Sequence, residues 1–387
     1  MHEFRKIAVA ISGGVDSAVT ALLLKRKGFS VEGVFMQNWD ITDEKGFCSS
    51  NEDFKDALIV CKKLNVQLHH VNFVKQYWNE VFYHLIKEYE TGYTPNPDIM
   101  CNKKIKFNYF YKYAMNNLKA DAIATGHYAK TSFGPYLQYY KSGEDVKLYR
   151  AEDIKKDQTF FLCQIEQEAL RRTMFPLGNL TKSEVKQIAF NSNLEEFAKK
   201  PESMGICFIG SRNFQNFIQE YIPDKPGLFV NIDNSKVMGE HRGIHQWTLG
   251  QRAKLQGLPE AFFIARKCIQ SNIIYVASGT KHPILHSNLF FGSRPHWIHS
   301  VPEELDRGEV LKCDFKFQHT EEWTPCEICK VEEGLIIKLI KPKRAITPGQ
   351  YAVFSRNREC LGSAKITNSG ISNFSLYYLS NRPFLNK

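Results

Sequence analysis

The feature that most constrains the fold is a glycine-rich loop between an apolar strand and a helix. Residues 7–11 are all apolar, residues 12–17 read Ser-Gly-Gly-Val-Asp-Ser, and residues 17–27 show helical spacing of apolar side chains before Gly28. A second strand-like run occupies residues 31–36. This order predicts a β-loop-α-β unit, the building block of a parallel sheet flanked by helices.

The loop has the composition of a phosphate site. Gly13 and Gly14 let backbone amides approach an anion, and the N-terminus of the following helix adds the positive end of its dipole. The hydroxyls of Ser12 and Ser17 are further donors. We expect the phosphates of a nucleotide to bind here, with Asp16 helping to hold magnesium. The alternative is a glycine-rich turn in which Asp16 caps the helix.

The rest of the chain predicts three successive units. Helix-like and strand-like runs alternate up to a strand at 120–129, which indicates a doubly wound parallel sheet. We expect an α/β domain of this kind at 1–211, a small central domain at 212–284 and a β-barrel-like domain at 285–387. The last of these is predicted from short alternating runs at 311–317, 335–340, 351–354 and 360–366.

Net charge limits the choice of partner and location. Lysine and arginine number 51 against 41 aspartates and glutamates, a formal charge of +10. Such a surplus favours a polyanionic partner through counterion release, and a merely basic surface is the alternative.

No apolar run approaches the roughly eighteen residues of a membrane span, so no membrane is expected as a partner. Six residues, Met1 to Lys6, precede the first strand-like run, too few for a full transit peptide, so we expect any organelle address to be removed or cryptic.

The ten cysteines are scattered without the dense spacing of a secreted disulfide framework, so a reducing compartment is expected. Cys326 and Cys329 have the C-x-x-C spacing of a zinc or redox half-site, but no second C-x-x-C or histidine pair follows them. They are either such a half-site or strand and turn cysteines without a special role. We predict no tightly bound metal.

Two further segments carry cysteines of chemical interest. Asp98 and Cys101 are three residues apart, so on one helical turn they share a face, and the lysines that follow favour a thiolate. This combination puts a nucleophile beside an acid or base. Cys207 lies in an apolar run between two glycines and, by itself, has the surroundings of a structural buried cysteine.

Together these segments resemble a known family. The loop at 12–17 is similar to the pyrophosphatase loop of enzymes that adenylate a substrate with ATP, and it is neither the loop of kinases and GTPases nor a dinucleotide fingerprint. The loop and the segments around Cys101 and Cys207 resemble the tRNA-specific 2-thiouridylases, which are MnmA in bacteria and have a mitochondrial counterpart. Further matching stretches are 125–128, 156–162, 248–252 and 344–350.

The resemblance implies an ATP-dependent thiolation of the wobble uridine of tRNA. ATP adenylates the C2 oxygen, sulfur then attacks C2, and the products are 2-thiouridine, AMP and pyrophosphate. By the same resemblance Asp98 and Cys101 stand at the reacting base and Cys207 carries a persulfide. Cys101 then attacks the persulfide or resolves the sulfur-linked intermediate, which leaves a disulfide between Cys101 and Cys207.

The resemblance also assigns ligand contacts. Those to ATP lie at the loop and at two other strand ends, as ligands of open α/β sheets do: Ala10, Ile11, Ser12, Gly13, Gly14, Val15, Asp16, Ser17, Met36 and Gly126. Those to tRNA are Asn96, Pro97, Asp98, His127, Lys156, Asp157, Gln158, Arg344, Ala345 and Gln350. The alternatives are a satisfied core histidine at His127 and solvated surface charges at Lys156 and Arg344.

Partners and location follow from the same resemblance. The family acts on the anticodon stem-loop of lysine, glutamate and glutamine tRNAs, takes sulfur from a persulfide donor protein and uses ATP with Mg²⁺. The run Ser203, Met204, Gly205, where bacterial members have threonine in the middle, favours the mitochondrial branch over a bacterial-type cytoplasmic protein. Residues 255–263 depart from the glycine-rich run of the bacterial pattern, so the role of that segment stays open.

Three other functions compete with this one. An argininosuccinate or GMP synthetase-like ligase or amidotransferase has the same loop but needs no paired redox cysteines. A 4-thiouridine synthase is chemically closer, but this chain starts at the loop strand with no RNA-binding region before it. A catalytically silent tRNA-binding module would not need Asp98, Cys101 and Cys207 together with the loop.

Overall fold

The computed structural model describes residues 4–39, 49–201 and 213–370. The strands of the first part are β1 (Lys6–Ala10), β2 (Ser30–Gln37), β3 (Gln67–Asn72), β4 (Ala122–Ala124), β5 (Ala129–Thr131), β6 (Leu148–Arg150) and β7 (Thr173–Met174). Its helices are α1 (Val15–Arg26), α2 (Ser49–Leu64), α3 (Val74–Tyr77), α4 (Tyr83–Glu90), α5 (Pro97–Cys101), α6 (Tyr111–Asn116), α7 (Thr159–Leu162), α8 (Gln167–Leu170), α9 (Lys182–Phe190) and α10 (Glu195–Lys199). Two π-helical turns, Trp78–Phe82 and Asn102–Phe110, connect α3 to α4 and α5 to α6. In these ranges no helix is both long and apolar enough to cross a membrane.

Five of these strands form a parallel sheet in the order β3-β2-β1-β4-β7. In the central strand β1, the consecutive residues Ile7, Ala8 and Val9 are completely buried. Consecutive buried residues point to opposite faces of a sheet, so both faces are covered, as in doubly wound α/β proteins. The predicted parallel-sheet domain is therefore confirmed.

One predicted strand of this domain differs from the structure. The run at 120–129 was expected to be a single strand, but β4 ends at Ala124 and β5 joins a different sheet. Between them Gly126 passes so close to the start of α1 that a β-carbon there would lie 2.9 Å from the backbone nitrogen of Ser17. The chain leaves the parallel sheet at this close approach.

The central part is a small sheet with its own core. Helix α11 (Phe214–Gln219) precedes four strands, β8 (Gly227–Asn231), β9 (Val237–His241), β10 (Phe262–Cys268) and β11 (Ile273–Ser278), in the order β10-β11-β8-β9. Phe229, Trp247, Ile264 and Val276 pack together inside it. A separate apolar core is what an independent domain requires.

The last part is a closed barrel. Its strands are β12 (His286–Gly292), β13 (His296–Trp297), β14 (Leu311–Lys316), β15 (Thr324–Val331), β16 (Gly334–Arg344), β17 (Tyr351–Arg356) and β18 (Glu359–Asn368), with helix α12 (Glu303–Asp306) between β13 and β14. The ring runs β12-β16-β15-β14-β17-β18 and closes where β18 pairs with β12. The predicted barrel is confirmed.

The barrel sheet continues into the α/β domain. Strand β18 pairs with β6, with Cys360 opposite Leu148, and β6 pairs in turn with β5. Both Cys360 and Leu148 are buried. The first and last domains are therefore joined by an unbroken ladder of backbone hydrogen bonds.

Candidate active site

The loop between β1 and α1 has the backbone shape that its glycines predict. Gly13 has a φ of +79°, and a β-carbon there would lie 2.6 Å from the carbonyl oxygen of Asp53. Both facts exclude a side chain at this position. The hydroxyls of Ser12 and Ser17 lie 3.3 Å apart, and Ser17 Oγ donates to the carbonyl of Gly14. The loop is thus a compact cup at the carboxyl end of the central strand.

The N-terminus of α1 opens onto this cup. Gly14 is the N-cap residue and no side chain caps the helix. The alternative in which Asp16 caps α1 is therefore wrong: Asp16 lies within the first turn, and its carboxylate points to other partners. Because the first amides of a helix attract anions, the uncapped end suits a phosphate.

The carboxylate of Asp16 is held by two side chains that the sequence did not single out. Lys182 Nζ lies 2.8 Å from each of its oxygens, and the Tyr128 hydroxyl donates to Oδ1 at 2.9 Å. Lys182 opens α9, whose Thr181 and Glu184 form a capping box. Tyr128 lay within a matching stretch, 125–128, whereas no local pattern marked Lys182.

The other predicted ATP contacts lie at the same edge of the sheet. Ala10 ends β1, and the amide of the next residue, Ile11, donates to the carbonyl of Val34 in β2. Met36 is two residues further along β2, and Gly126 follows β4 against α1. The structure therefore brings the loop, Met36 and Gly126 to neighbouring strand ends. Ligands of open α/β sheets bind outside the carboxyl ends of the strands, which is where these residues lie.

Asp98 and Cys101 lie on one short helix, α5, as their spacing predicts. Asn96 caps it by accepting from the amide of Ile99, and Pro97 occupies its first turn. Burial raises the pKa of the Asp98 carboxyl, and the positive charge of Lys106 opposes that shift. Cys101 ends the helix and is half-buried.

His127 is buried and shares a hydrogen bond of 2.8 Å between its Nδ1 and the hydroxyl of Thr125. Burial lowers the pKa of this histidine well below its usual range, and Lys106 acts in the same direction. A neutral imidazole follows. The positive charge of Lys106 therefore acts on two predicted contacts, Asp98 and His127.

The three domains meet immediately before α5. The amide of Thr94 donates to the carbonyl of Pro348 in the barrel, and its hydroxyl lies 3.3 Å from that of Thr248 in the central domain. Gln350 Nε2 donates to the carbonyl of Thr94 at 2.7 Å, and its Oε1 accepts from Asn96 at 3.4 Å. Two predicted tRNA contacts, Asn96 and Gln350, thus bind each other and fix the start of α5.

The predicted tRNA segment 156–158 is anchored from within. The buried carboxylate of Asp157 accepts from the amide of Ala151 and the hydroxyl of Thr159. Gln158 exchanges two hydrogen bonds with the backbone of Tyr128. Lys156 is half-buried at the edge of this loop. The side chain of Asp157 therefore fixes the shape of the loop. The side chain of Gln158 connects the loop to Tyr128, whose hydroxyl donates to Asp16.

Arg344 and Ala345 lie at a different interface. Arg344 Nη2 donates to the carbonyl of Gly250, and the guanidinium lies 5.0 Å from the ring centre of Phe263. Ala345 has a φ of +56° and donates its amide to the carbonyl of Leu285. Arg344 thus joins the barrel to the central domain, and the alternative of a solvated surface charge is wrong for it.

A cavity of about 480 Å³ lies where the segment 150–158 faces the barrel. Its lining combines four cationic side chains, Arg150, Lys155, Lys316 and Arg358, with three carboxylates, Asp157, Glu321 and Glu322. The ring of Trp323 lies 4.8 Å from the guanidinium of Arg150 and 5.5 Å from Lys316 Nζ. No local sequence pattern predicts this cavity, because its residues come from distant parts of the chain.

Two cysteine predictions have different outcomes. Cys207 lies outside the described residues, so its predicted approach to Cys101 stays a prediction. Cys326 does not pair with Cys329: its Sγ lies 3.7 Å from that of Cys313, and Cys329 is exposed. Within 4–39, 49–201 and 213–370, no group of three or more possible metal ligands occurs.

Comparison with known proteins gives the family. Profiles described as the tRNA methyl transferase HUP domain, the tRNA methyl transferase PRC-barrel domain and the aminomethyltransferase beta-barrel domain match residues 5–211, 215–278 and 287–366. Mitochondrial tRNA-specific 2-thiouridylase 1 of Gallus gallus is 49% identical over 98% of this chain and 95% of that protein, and the one of Drosophila melanogaster is 50% identical over 94% of each. The bacterial tRNA-specific 2-thiouridylase MnmA of Exiguobacterium sibiricum is 43% identical over 97% of each. The mitochondrial names of the first two confirm the predicted location, and the chain belongs to the tRNA-specific 2-thiouridylase family.

Proposed function

We propose that this chain is an ATP-dependent tRNA-uridine 2-sulfurtransferase. It adenylates the C2 oxygen of the wobble uridine and replaces that oxygen with sulfur from a cysteine persulfide, which releases AMP and pyrophosphate. The observation that carries the proposal is the identity of 43–50% with named 2-thiouridylases across all three domains. The uncapped, glycine-shaped cup beside Asp16 supports an ATP-dependent first step.

ATP binds with its phosphates in the cup formed by residues 12–17. Backbone amides and the hydroxyls of Ser12 and Ser17 donate to the phosphate oxygens, and Lys182 contributes a positive charge. Asp16 supplies a carboxylate oxygen, the ligand that Mg²⁺ prefers, so it would hold the magnesium that accompanies ATP. When bound, the ion would supply positive charge for the leaving pyrophosphate.

Uridine reacts beside α5. The C2 oxygen attacks the α-phosphorus of ATP and pyrophosphate leaves. A uridine oxygen becomes a better nucleophile when the proton on N3 is lost, and we assign the removal of that proton to Asp98. Burial raises the pKa of Asp98, which makes its carboxylate a stronger base than an exposed aspartate. Neutral His127 borders the same space without adding a second positive charge beside Lys106.

Sulfur transfer then uses two thiols. The terminal sulfur of a persulfide on Cys207 attacks C2, the bond from C2 to oxygen breaks, and AMP leaves with that oxygen. The Cys101 thiol attacks the Sγ of Cys207 and the disulfide bond to the uridine sulfur breaks. Thiouridine and a disulfide between Cys101 and Cys207 result, and an external thiol reduces that disulfide for the next cycle.

The anticodon stem-loop of a lysine, glutamate or glutamine tRNA lies across the first and last domains. The cavity beside Arg150 and Lys316 supports this path, because its lining places these two positive charges against the aromatic ring of Trp323. Asp157, Gln158, Arg344 and Ala345 support tRNA by shaping the surfaces around it. A persulfide donor protein supplies the sulfur.

Mass analysis of nucleosides tests the proposal. The full chain is incubated with unmodified tRNA, ATP, Mg²⁺ and a sulfide or persulfide source, and 2-thiouridine and tRNA-dependent AMP are measured. Cys101→Ser and Cys207→Ser should each abolish 2-thiouridine, whereas Cys329→Ser, at an exposed site, should not.

AMP release that does not require tRNA would favour a different adenylating ligase. A tRNA that is bound but unchanged would favour a silent binding module, and a methylated uridine would agree with the methyl transferase description instead.

A further inference from the structure

Two cysteines of the barrel face each other across neighbouring strands. Cys313 of β14 is the direct register partner of Cys326 of β15. Their Sγ atoms lie 3.7 Å apart in a thiol-to-thiol contact. The sequence pattern had drawn attention to Cys326 because of its spacing from Cys329, but the structural partner of Cys326 is Cys313.

Strand geometry explains why Cys329 has a different environment. Residues 326 and 329 are an odd number of positions apart on one strand, so their side chains point to opposite faces. Cys326 is buried in the barrel core, whereas Cys329 is exposed and lies opposite Ile336 of β16. Cys313 packs against the same core as Cys326 and is half-buried, so it is the more accessible of the facing pair.

The backbone already permits a covalent bond between the facing pair. Directly opposed residues of an antiparallel pair have Cα atoms about 4.5–5.5 Å apart. Disulfides span Cα distances of about 4.4–6.8 Å. A bond between Cys313 and Cys326 therefore needs side-chain rotation and no change in strand register.

We propose that Cys313 and Cys326 form a thiol-oxidation site, which a peroxide converts into a disulfide across β14 and β15. The Cys313 sulfur attacks one peroxide oxygen, the O–O bond breaks, and one water leaves, so that Cys313 becomes a sulfenic acid. The Cys326 sulfur then attacks Cys313 Sγ, the S–S bond forms, and a second water leaves. Two thiols lose two electrons, which reduce one hydrogen peroxide to two waters.

The order of the two cysteines follows from their surroundings. The contact with Cys313 and burial raise the pKa of the Cys326 thiol, so this thiol is a poor first nucleophile toward peroxide. Half-buried Cys313 reacts first, and the close contact then lets Cys326 resolve the sulfenic acid.

The disulfide would close the hairpin that faces the α/β domain. The turn between β14 and β15 carries His319, whose Nε2 donates to the carbonyl of Asp157 at 2.9 Å, and Trp323, which lines the cavity beside Arg150. Oxidation thus ties together the two strands that present this turn. The inference does not depend on the proposed thiolation, because neither cysteine belongs to the site beside α5.

Peptide mapping tests the site, since trypsin separates the two cysteines. Cleavage after Lys312, Lys316 and Lys330 gives peptide 313–316 with Cys313 and peptide 317–330 with Cys326 and Cys329. The full-length chain is treated with hydrogen peroxide, quenched in acid, alkylated and digested without reductant. We expect the two peptides to be joined, and dithiothreitol to separate them.

Variants identify which cysteine of the second peptide is bonded. The joined species should persist in Cys329→Ser, which alters only an exposed side chain, and disappear in Cys326→Ser. A link that Cys329→Ser removes would overturn the proposal. So would a wild-type map in which Cys313 and Cys326 are both alkylated at a peroxide dose that oxidises Cys329. The Cys329→Ser variant decides between these results even if the buried Cys326→Ser variant folds poorly, because Cys326 is then the only cysteine of peptide 317–330.

Discussion

Lys182 Nζ lies 2.8 Å from both carboxylate oxygens of Asp16, so a cation that opens α9 neutralises an anion in the first turn of α1. The side chain of Lys182 is 12% exposed and that of Asp16 is 32% exposed, so the ion pair is partly shielded from solvent. We expect a triphosphate in the cup to compete with Asp16 for Lys182, which would leave the Asp16 carboxylate to hold magnesium.

Replacing Lys182 with alanine should therefore impair the ATP-dependent step. Loss of a charge aimed at the reacting phosphates typically lowers the rate by about 100-fold or more. We expect Lys182→Ala to reduce tRNA-dependent AMP release by that order, with tRNA affinity unchanged. The matched control is Lys87→Ala, which removes one member of an exposed ion pair with Glu90 on α4. AMP release within twofold of the wild type would contradict a phosphate contact.

Asp98→Asn should have opposite effects on activity and stability. As the proton acceptor Asp98 must be ionised, so wild-type thiolation falls as the pH drops through its raised pKa. The asparagine variant loses that acidic limb and about 100- to 10,000-fold of activity. Thiolation rates across a pH series measure both changes.

The stability change has a definite sign. A raised pKa means that the folded chain binds the proton of Asp98 more tightly than the unfolded chain does. Ionisation therefore disfavours the folded state, with no penalty below the unfolded pKa and the full penalty above the folded pKa. Asp98→Asn should raise the free energy of unfolding near neutral pH and leave it unchanged at strongly acidic pH. Urea unfolding, with exposed Asp306→Asn as the control, checks this; a destabilised variant at neutral pH would contradict it.

Local chemistry explains which parts of the site were predictable. The cup at Gly13 and the helix that carries Asp98 and Cys101 depend on nearby residues, because positive φ, proline and an N-cap act over a few positions. Their patterns are therefore visible in the sequence. The parallel sheet and the barrel were predictable for the same reason, since apolar periodicity marks each strand.

Contacts between distant segments were not predictable. Lys182 reaches Asp16 from 166 residues away, and no spacing rule connects them. The hydrogen bond and ring contact of the Arg344 guanidinium in the central domain had no local signal either, and its contact with tRNA stays a prediction. Cys326 had a visible neighbour in Cys329, but the antiparallel register paired it with Cys313. Such partners depend on how domains and strands dock, which a single sequence does not encode in any local window.

Gln350→Ala tests the junction of the three domains. The side chain bridges Thr94 and Asn96, so its loss leaves the carbonyl of Thr94 without this donor and loosens the start of α5. We expect a loss of about 1 kcal/mol in the free energy of unfolding. We also expect slower thiolation with an unchanged KM for ATP, because the cup lies on other elements. Exposed Gln256→Ala is the control, and a raised KM for ATP with normal thiolation at saturation would contradict this role.

Charge reversals separate a tRNA contact from a structural arginine. Lys156→Glu should weaken tRNA binding several-fold and reduce the slope of log affinity against log salt by about one, because one phosphate contact is lost. Arg344→Glu should instead lower the thermal midpoint, since it removes the hydrogen bond to Gly250 and the contact with Phe263. Lys341→Glu, on an exposed part of β16, controls for the change in net charge.

Binding measured over a salt series and thermal unfolding together decide between these roles. If Lys156→Glu and Lys341→Glu weaken tRNA binding equally, with equal salt slopes, Lys156 acts only through net charge and the contact is refuted. If Arg344→Glu keeps its thermal midpoint and loses tRNA affinity, the guanidinium binds tRNA directly and its contacts with the central domain are dispensable. We expect neither result, because Arg344 is engaged by Gly250 and Phe263, while half-buried Lys156 lies between two residues that line the cavity, Lys155 and Asp157.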